Sequence, residues 1–329
     1  MSSQNASSSK IVVIAALLGN LAIAVVKFIA AGITGSSAML SEGVHSLVDT
    51  GNELLLLYGM SRANKPPDES HPFGYGRELY FWAFIVALLV FALGAGVSIY
   101  EGVKHLHEPE PMTRPIINYV VLGASMLFES ISWFVALREF RAAKGRMGYV
   151  EAFRRSKDPT TFTVLFEDSA ALAGLVIALA GVVASQVFDM PELDGVASIL
   201  IGCVLAVTAV LLARETKGLL MGEAAAPGVR ASMLQIAAAD PGVRSANGVI
   251  TSQVGPHQVV ASLSLKFHDA LTAAEIESCV NRIEAGITEA HPEVVMLYVK
   301  PQTQAVWNER VRRREAAVQA HKAGGSPRP

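Results

Sequence analysis

One helical turn separates His45 from Asp49, within a segment otherwise apolar enough to cross a bilayer. As a helix, SAMLSEGVHSLVDTGNELLLLYGM stacks Glu42, His45, Asp49 and either Asn52 or Glu53 along one stripe. Imidazole and carboxylate at this spacing can share one divalent ion. A carboxylate at membrane depth is costly and points to function by default; the other use of such a stripe is a polar seam against neighbouring helices or a dimer partner. Two more carboxylates, Glu167 and Asp168, are adjacent in the apolar run DPTTFTVLFEDSAALAGLVIALAG. Helix neighbours lie ~100° apart, so both face one centre only in a wide site. Asp168 is the candidate ligand; Glu167 either alternates with it, faces a water path or a neighbouring helix, or snorkels to the interface.

These residues need a membrane scaffold to position them, and the composition supplies one. Of 329 residues, 51% are hydrophobic and 17% charged, against ~25% charged in soluble domains. Six stretches are long enough to span, about Ile11–Gly32, Ala38–Met60, Leu79–Tyr100, Ile116–Leu137, Phe162–Val187 and Gly195–Ala213. Six transmembrane helices are therefore expected. The first carries Asn20 and Lys27 and lacks the features of a cleaved signal peptide, so it is expected to remain. Basic residues gather before the first span (Lys10), between the second and third (Arg62, Lys65, Arg77) and between the fourth and fifth (Arg138, Arg141, Lys144, Arg146, Arg154, Arg155, Lys157). Both termini are thereby expected in the cytoplasm, with Lys104 and Arg114 in the third connection a mild dissent.

After Arg214 the chain turns mixed and moderately charged. A helix over Ala231–Ala238, strands over Gly248–Ser252 and Gln258–Phe267, a helix over Leu271–Glu289 and a strand over Val294–Val299 give the order αββαβ, a small α+β sandwich. The expected organisation is an N-terminal tail (1–10), a six-helix domain (11–216), a cytoplasmic α+β domain (217–305) and a basic, disordered tail (306–329). Net charge is −2 with no dominating basic face, so nothing points to nucleic acid. Cys203 and Cys279 lie in different environments, which disfavours a disulfide. With neither HExxH nor a phosphate-cradling glycine loop, nothing reads as an enzyme or an ATP-driven pump.

TGSSAMLSEGVHSLVDTGNELLLLYG, PPDESHPFGYGRELYFWA, LFEDSAALAGL and LLARETKGLLMGEAA together resemble the cation diffusion facilitators, proton-coupled efflux carriers of Zn²⁺ and related metals. The resemblance covers about Ile11–Pro301. It implies six membrane helices, a homodimer, a tetrahedral site between the second and fifth helices and a metallochaperone-like cytoplasmic domain. It assigns His45 and Asp49 to the second-helix half of the transport site and Asp168 to the fifth-helix half. The family's fourth ligand position is Val164 here, a pattern similar to the branch with Glu-Asp in the fifth helix, the mitochondrial zinc transporter branch. Glu167, Asn20 or water then stands for the fourth ligand, and one nitrogen among oxygens suits Mn²⁺, Fe²⁺, Co²⁺ or Cd²⁺ as well as Zn²⁺. A secondary site in the second connection is reduced to Asp68 and His71, with Tyr75 at the second His position. The last strand carries Tyr298 and Lys300 where many members have metal ligands, which leaves His257, His268 and Asp269 as the domain's own donors.

The function expected is export of a divalent metal, Zn²⁺ first, from the cytoplasm across an inner cell membrane in exchange for H⁺, with no cofactor. The alternative is a non-transporting scaffold or metal sensor with a degraded site. A passive channel is disfavoured, because a deep site with several charged ligands binds too tightly for rapid conduction.

Overall fold

The computed structural model describes residue 17 and residues 20–109, 111–145, 148–149, 152 and 157–322. Lys10, Arg146, Arg154, Arg155 and the stretch 1–10 lie outside the described residues. The chain forms two compact units, one of residues up to Lys65 together with Arg77–Leu220, the other of Pro66–Gly76 together with Met221 onward.

The first unit is helical: α1 (Asn20–Thr34), α2 (Ser37–Ala63), α3 (Arg77–His107, with a π-helical stretch at Val90–Ala95), α4 (Pro115–Lys144), α5 (Pro159–Phe188) and α6 (Glu192–Met221). By length and apolarity, four of these can cross a membrane, α3 to α6. Of the six expected spans, these four are met by length and apolarity among the described residues. The remaining two, α1 and α2, differ: α1 is described only from Asn20, and α2 carries Glu42, Asp49, Glu53 and Arg62 along its 27 residues.

How α2 begins shows the care spent on its placement. Gly35, at φ 72°, makes the turn out of α1, a conformation that a side chain would strain. Ser36 then caps α2, its hydroxyl accepting from Met39 N at 3.1 Å. Asp194, at the start of α6 and 1% exposed, accepts from Ser37 N (2.6 Å), Ala38 N (3.2 Å) and the Ser36 and Ser37 hydroxyls (2.8 and 3.1 Å). A carboxylate is stabilising there, against the positive end of the helix dipole. At the start of α5, Asp158 accepts from Thr160 N at 2.9 Å and Pro159 occupies the first turn, where its missing N–H costs nothing.

Small residues let the helices approach. Backbone of α3 and α6 meets at Gly102 and Gly195, where an added Cβ would stand 2.6–2.9 Å from the facing carbonyl. Ala38, Met39, Leu175, Ala178 and Ile201 form the shared core of α2, α5 and α6.

In the second unit, α7 (Pro227–Ala239), β1 (Val243–Gly255), β2 (Gln258–Phe267), α8 (Ala273–Ala290) and β3 (Val294–Pro301) make a three-stranded sheet in the order β1-β2-β3 with helices between. The αββαβ order is as expected, with β1 longer than its alternation suggested. β1 and β2 pair antiparallel (Val249 opposite Leu263), and β2 and β3 pair parallel (Ala261 opposite Leu297), which requires the α8 crossover. Leu263, Leu265, Ile283, Ile287 and Met233 fill its core. Thr272 and Glu275 form a reciprocal capping box at the start of α8. Within the stretch expected to be a disordered tail, Gln304–Lys322 is a further helix, α9, and 323–329 lie outside the described residues. Glu309 pairs with Arg313 at 2.8 Å and Arg312 at 3.7 Å, supporting the helix at the spacing where such pairs meet. Its basic residues are strong helix formers, a propensity that a reading from charge alone overlooks.

Candidate cation site

On α2, the positions of His45 and Asp49 one turn apart bring Nδ1 to within 3.3 Å of Asp49 Oδ1. Neither makes a hydrogen bond: both nitrogens of His45 and Oδ1 of Asp49 are buried with no partner among the described residues. Buried polar atoms in proteins are usually satisfied, so three orphans within one turn of α2 call for an explanation. Lone pairs on nitrogen and carboxylate oxygen are what a borderline metal ion takes.

Across from Asp49, α5 presents Glu167 and Asp168. Glu167 accepts from Asn52 Nδ2 of α2 at 2.8 Å, and Asp168 from the Ser132 hydroxyl of α4 at 2.9 Å. The 100° between them is used: one carboxylate turns toward α2, the other toward α4. Both still line one cavity of about 30 Å³, with Asp49 and Glu53 of α2, Glu129 and Ser132 of α4, Asn20 of α1 and the apolar Val164. A polar space of that size has room for water or a small ion.

Several sequence expectations change in detail. His45 is only 1% exposed and lies outside the lining of the cavity, 3.3 Å from Asp49. Asn20 does line it, but its amide nitrogen donates to Glu53 at 2.8 Å, so its NH₂ is already engaged. Among the described residues no group of three or more His, Cys, Asp and Glu side chains is gathered tightly enough to hold a metal ion. The donors face a common space from different helices without closing on one point. Glu129 and Ser132 were missed by the sequence reading. The signal was present, since FESISW puts a carboxylate in the middle of an apolar span, the same feature that drew attention to Asp49.

The secondary candidate, Asp68 with His71, is used differently. Asp68 accepts from Ser70 N (2.9 Å), the Ser70 hydroxyl (2.7 Å), His71 N (2.8 Å) and the Tyr75 hydroxyl (2.6 Å). The Tyr75 hydroxyl above all, then Ser70 and the His71 amide, hold its carboxyl well below the usual range. Here the carboxylate ties a turn together, and its oxygens are spent on that. Asp269 is similarly engaged, by Arg244 at 3.0 Å and Lys266 at 3.3 Å. Tyr298 is half exposed on β3, beside Val295 and Met296.

With this geometry in view, similarity to known proteins is informative. The cation efflux transmembrane domain matches residues 13–221. Metal tolerance protein C4 of Arabidopsis thaliana is 37% identical over 193 residues, 58% of this chain and 42% of that protein. The mitochondrial proton-coupled zinc antiporter SLC30A9 of Mus musculus is 34% identical over 232 residues, 70% of this chain and 41% of its own. The cation-efflux pump FieF of Cronobacter sakazakii is 26% identical over 285 residues, 85% and 88% of the two chains. The chain thus spans under half the length of the plant and mouse relatives it matches. Their similarity supports the branch suggested by Glu167-Asp168.

Proposed function

Because this chain belongs to the cation efflux, or cation diffusion facilitator, family, we propose that it exports a divalent metal ion, Zn²⁺ first, from the cytoplasm in exchange for protons. The observation that carries this reading is the small cavity between α2, α4 and α5, walled by Asp49, Glu53, Glu129, Glu167 and Asp168 with no cationic side chain in its lining. Five carboxylates around so small a space repel one another unless a cation or protons offset their charge. Metal and protons are therefore alternative occupants.

In this reading His45, Asp49 and Asp168 are the metal's ligands and Glu167 supplies the fourth donor; the three carboxylates swing a short way into the space they already border, and His45, outside that lining but 3.3 Å from Asp49, makes the larger movement. Binding requires a neutral imidazole and ionised carboxylates, so an arriving metal expels protons and returning protons expel the metal. Val164 keeps one wall apolar, which favours shedding of the ion's water. The names of the zinc antiporter and the cation-efflux pump support the same assignment for this chain.

The topology proposed is six spans, with α1 and α2 joining the four plainly apolar helices because their buried polar groups face inward. Both termini are then cytoplasmic, in an inner cell membrane, and the working unit is a homodimer. Proteoliposomes holding the purified chain test the whole reading. Zn²⁺ flux that rises with an opposing pH gradient, accompanied by stoichiometric proton movement, is expected; Mn²⁺, Fe²⁺, Co²⁺ and Cd²⁺ are compared alongside. No metal-dependent proton movement for any ion would leave the scaffold reading in its place.

A further inference from the structure

One charged pair in the helical unit has no part in the cavity. Lys27 of α1 is 1% exposed, and its ammonium lies 3.1 Å from Glu42 Oε2 and donates to the Ser46 hydroxyl at 2.8 Å, both on α2. Glu42 is fully buried, and its other oxygen, Oε1, has no hydrogen-bond partner among the described residues. Gly174 of α5 makes the room: a Cβ there would stand 2.5 Å from that oxygen. Three helices thus close around a carboxylate only half used.

A buried ion pair is weak evidence for stability, because desolvating both charges consumes most of what their attraction returns. Well-packed apolar residues would hold α1 to α2 at least as well. What the pair does have is position. Ser46, one turn from Glu42, lines the cavity that holds Asp49. On the other side of Glu42, Ser37 and Leu40 border a second cavity of about 270 Å³, shared with Phe28 of α1 and Glu101 and His105 of α3. Between the two, the Phe28 ring packs on α2 at Gly43, 3.1–3.3 Å from where a Cβ would be. The ion pair thus sits on α2 between Ser46, which lines the carboxylate cavity, and Ser37 and Leu40, which line the larger one, with Phe28 lining the larger one as well.

We propose that Glu42 and Ser46 form a second cation site on the path from the carboxylate cavity to the larger one, with the Lys27 ammonium as a tethered resident that a divalent metal ion displaces in transit. The oxygens that now hold the ammonium, Glu42 Oε2 and Ser46 Oγ, are those that a partly hydrated metal would take, and Oε1 adds a third. A doubly charged ion at the level of Asp49 repels the ammonium, loosens its hold on Glu42 and so uncovers the next carboxylate along the path. Once the metal has passed, Lys27 closes back on Glu42 and removes the attraction that would draw it back. The inference rests on the transport reading for its direction, but the site itself is read from binding alone.

Zn²⁺ binding to the full-length protein in detergent, measured by titration calorimetry at fixed pH and salt, tests it on Lys27→Met, Glu42→Gln and the double variant. Glu42 and Asp49 are seven residues apart, about 10 Å along a helix. Even with water's screening, a unit charge at that distance changes affinity for a divalent ion about fourfold. Lys27→Met should therefore bind Zn²⁺ at least about fourfold more tightly, and Glu42→Gln, which strips the ammonium of its counter-charge, more weakly by a similar factor. The double variant should return close to the parent. Opposite signs, with a second Zn²⁺ equivalent that appears in Lys27→Met and is absent from the double variant, are the signature, since a merely structural pair would weaken binding in both single variants and charge alone would add no second equivalent. Shifts of the same sign, or none, overturn the proposal. Should Lys27→Met fail to fold, Lys27→Gln takes its place, with tighter binding expected and weaker or unchanged binding removing the site. In proteoliposomes Lys27→Met should lower KM and turnover together. Absence of flux in the parent protein would count against the transport reading, while the calorimetric signs would still stand or fall separately.

Discussion

Asp49 and Asp168 line one cavity from different helices, and each spends little of its carboxylate on the fold. Replacing either by Ala inserts a small apolar group that the bilayer welcomes and that cannot ligate. Zn²⁺ flux should fall by at least ~100-fold, more than is lost when only a supporting partner of a ligand is removed, with the protein still folded by gel filtration in detergent. Wild-type flux in either variant would remove that residue from the site. Glu167→Gln is more discriminating, because the amide can keep a contact with Asn52 while losing its charge: a comparable loss makes Glu167 a ligand, and a displaced pH profile alone makes it a proton carrier. For His45 the test is selectivity. His45→Asp converts the donor set to oxygen only, and harder ligands should move preference from Zn²⁺ toward Mn²⁺; an unchanged metal ranking would show that the imidazole, outside the cavity lining, never reaches the ion.

α2 carries the largest share of the candidate ligands, so whatever fixes its register fixes the site. Asp194 does this from α6, through four hydrogen bonds to the first turn of α2. Asp194→Ala leaves the backbone N–H groups of Ser37 and Ala38 buried and unmet, at a cost of about 3 kcal/mol. Asp194→Asn, which keeps an acceptor oxygen, should lose less than half of that. Steric-trap unfolding in bicelles measures both, and equal losses would mean that charge at the helix terminus matters more than the bonds. In the C-terminal unit, Asp240 ends α7 and accepts from Arg282 of α8 at 2.9 and 3.0 Å. Those hydrogen bonds, opposed in part by burial, hold its carboxyl below the ordinary value. The native pKa is thus below the unfolded one of ~3.9, so the pair's stabilisation is fully present above that pH and is lost as pH falls through the lower native value. Arg282→Met should accelerate hydrogen exchange of α7 and α8 amides at pH 7, with the gap from the parent narrowing only below pH ~4. A gap that stays constant to lower pH would show that the arginine acts through packing.

At the scale of the whole molecule, the apolar stretch of β3, with Val295, Met296 and Tyr298 each more than a third exposed, has no cover among the described residues. Lys300 repels a bridging metal ion, and the oxygens of Asp68 and Asp269 are already engaged. The proposed homodimer should therefore need no metal in its C-terminal unit. Full-length protein in detergent should give the same mass by light scattering in EDTA and in Zn²⁺. A chelator-sensitive change of mass would return His257 and His268 to consideration as ligands.

The membrane character, the α+β unit and the polar stripe of α2 were legible in the sequence because each rests on local pattern: apolar runs, a period-2 strand in Gln258–Phe267, and His45 and Asp49 at helical spacing. Spacing along one helix also told that Glu167 and Asp168 must diverge. Local pattern cannot report which helices meet. That Glu167 turns to Asn52 while Asp168 turns to Ser132, that Glu129 joins them, and that Asp68 is consumed by Tyr75 are facts of packing between segments far apart in the chain. The same holds for Lys27. In sequence it is a lone cation in an apolar run; only the approach of α1 to α2, with Gly174 leaving space beside them, gives it Glu42 as a partner and Ser46, which lines the carboxylate cavity, as an acceptor. Residue types and their periodicity determined which chemistry this chain carries, and tertiary structure decided which of those groups share one space, because burial and pairing energies depend on neighbours that no single helix contains.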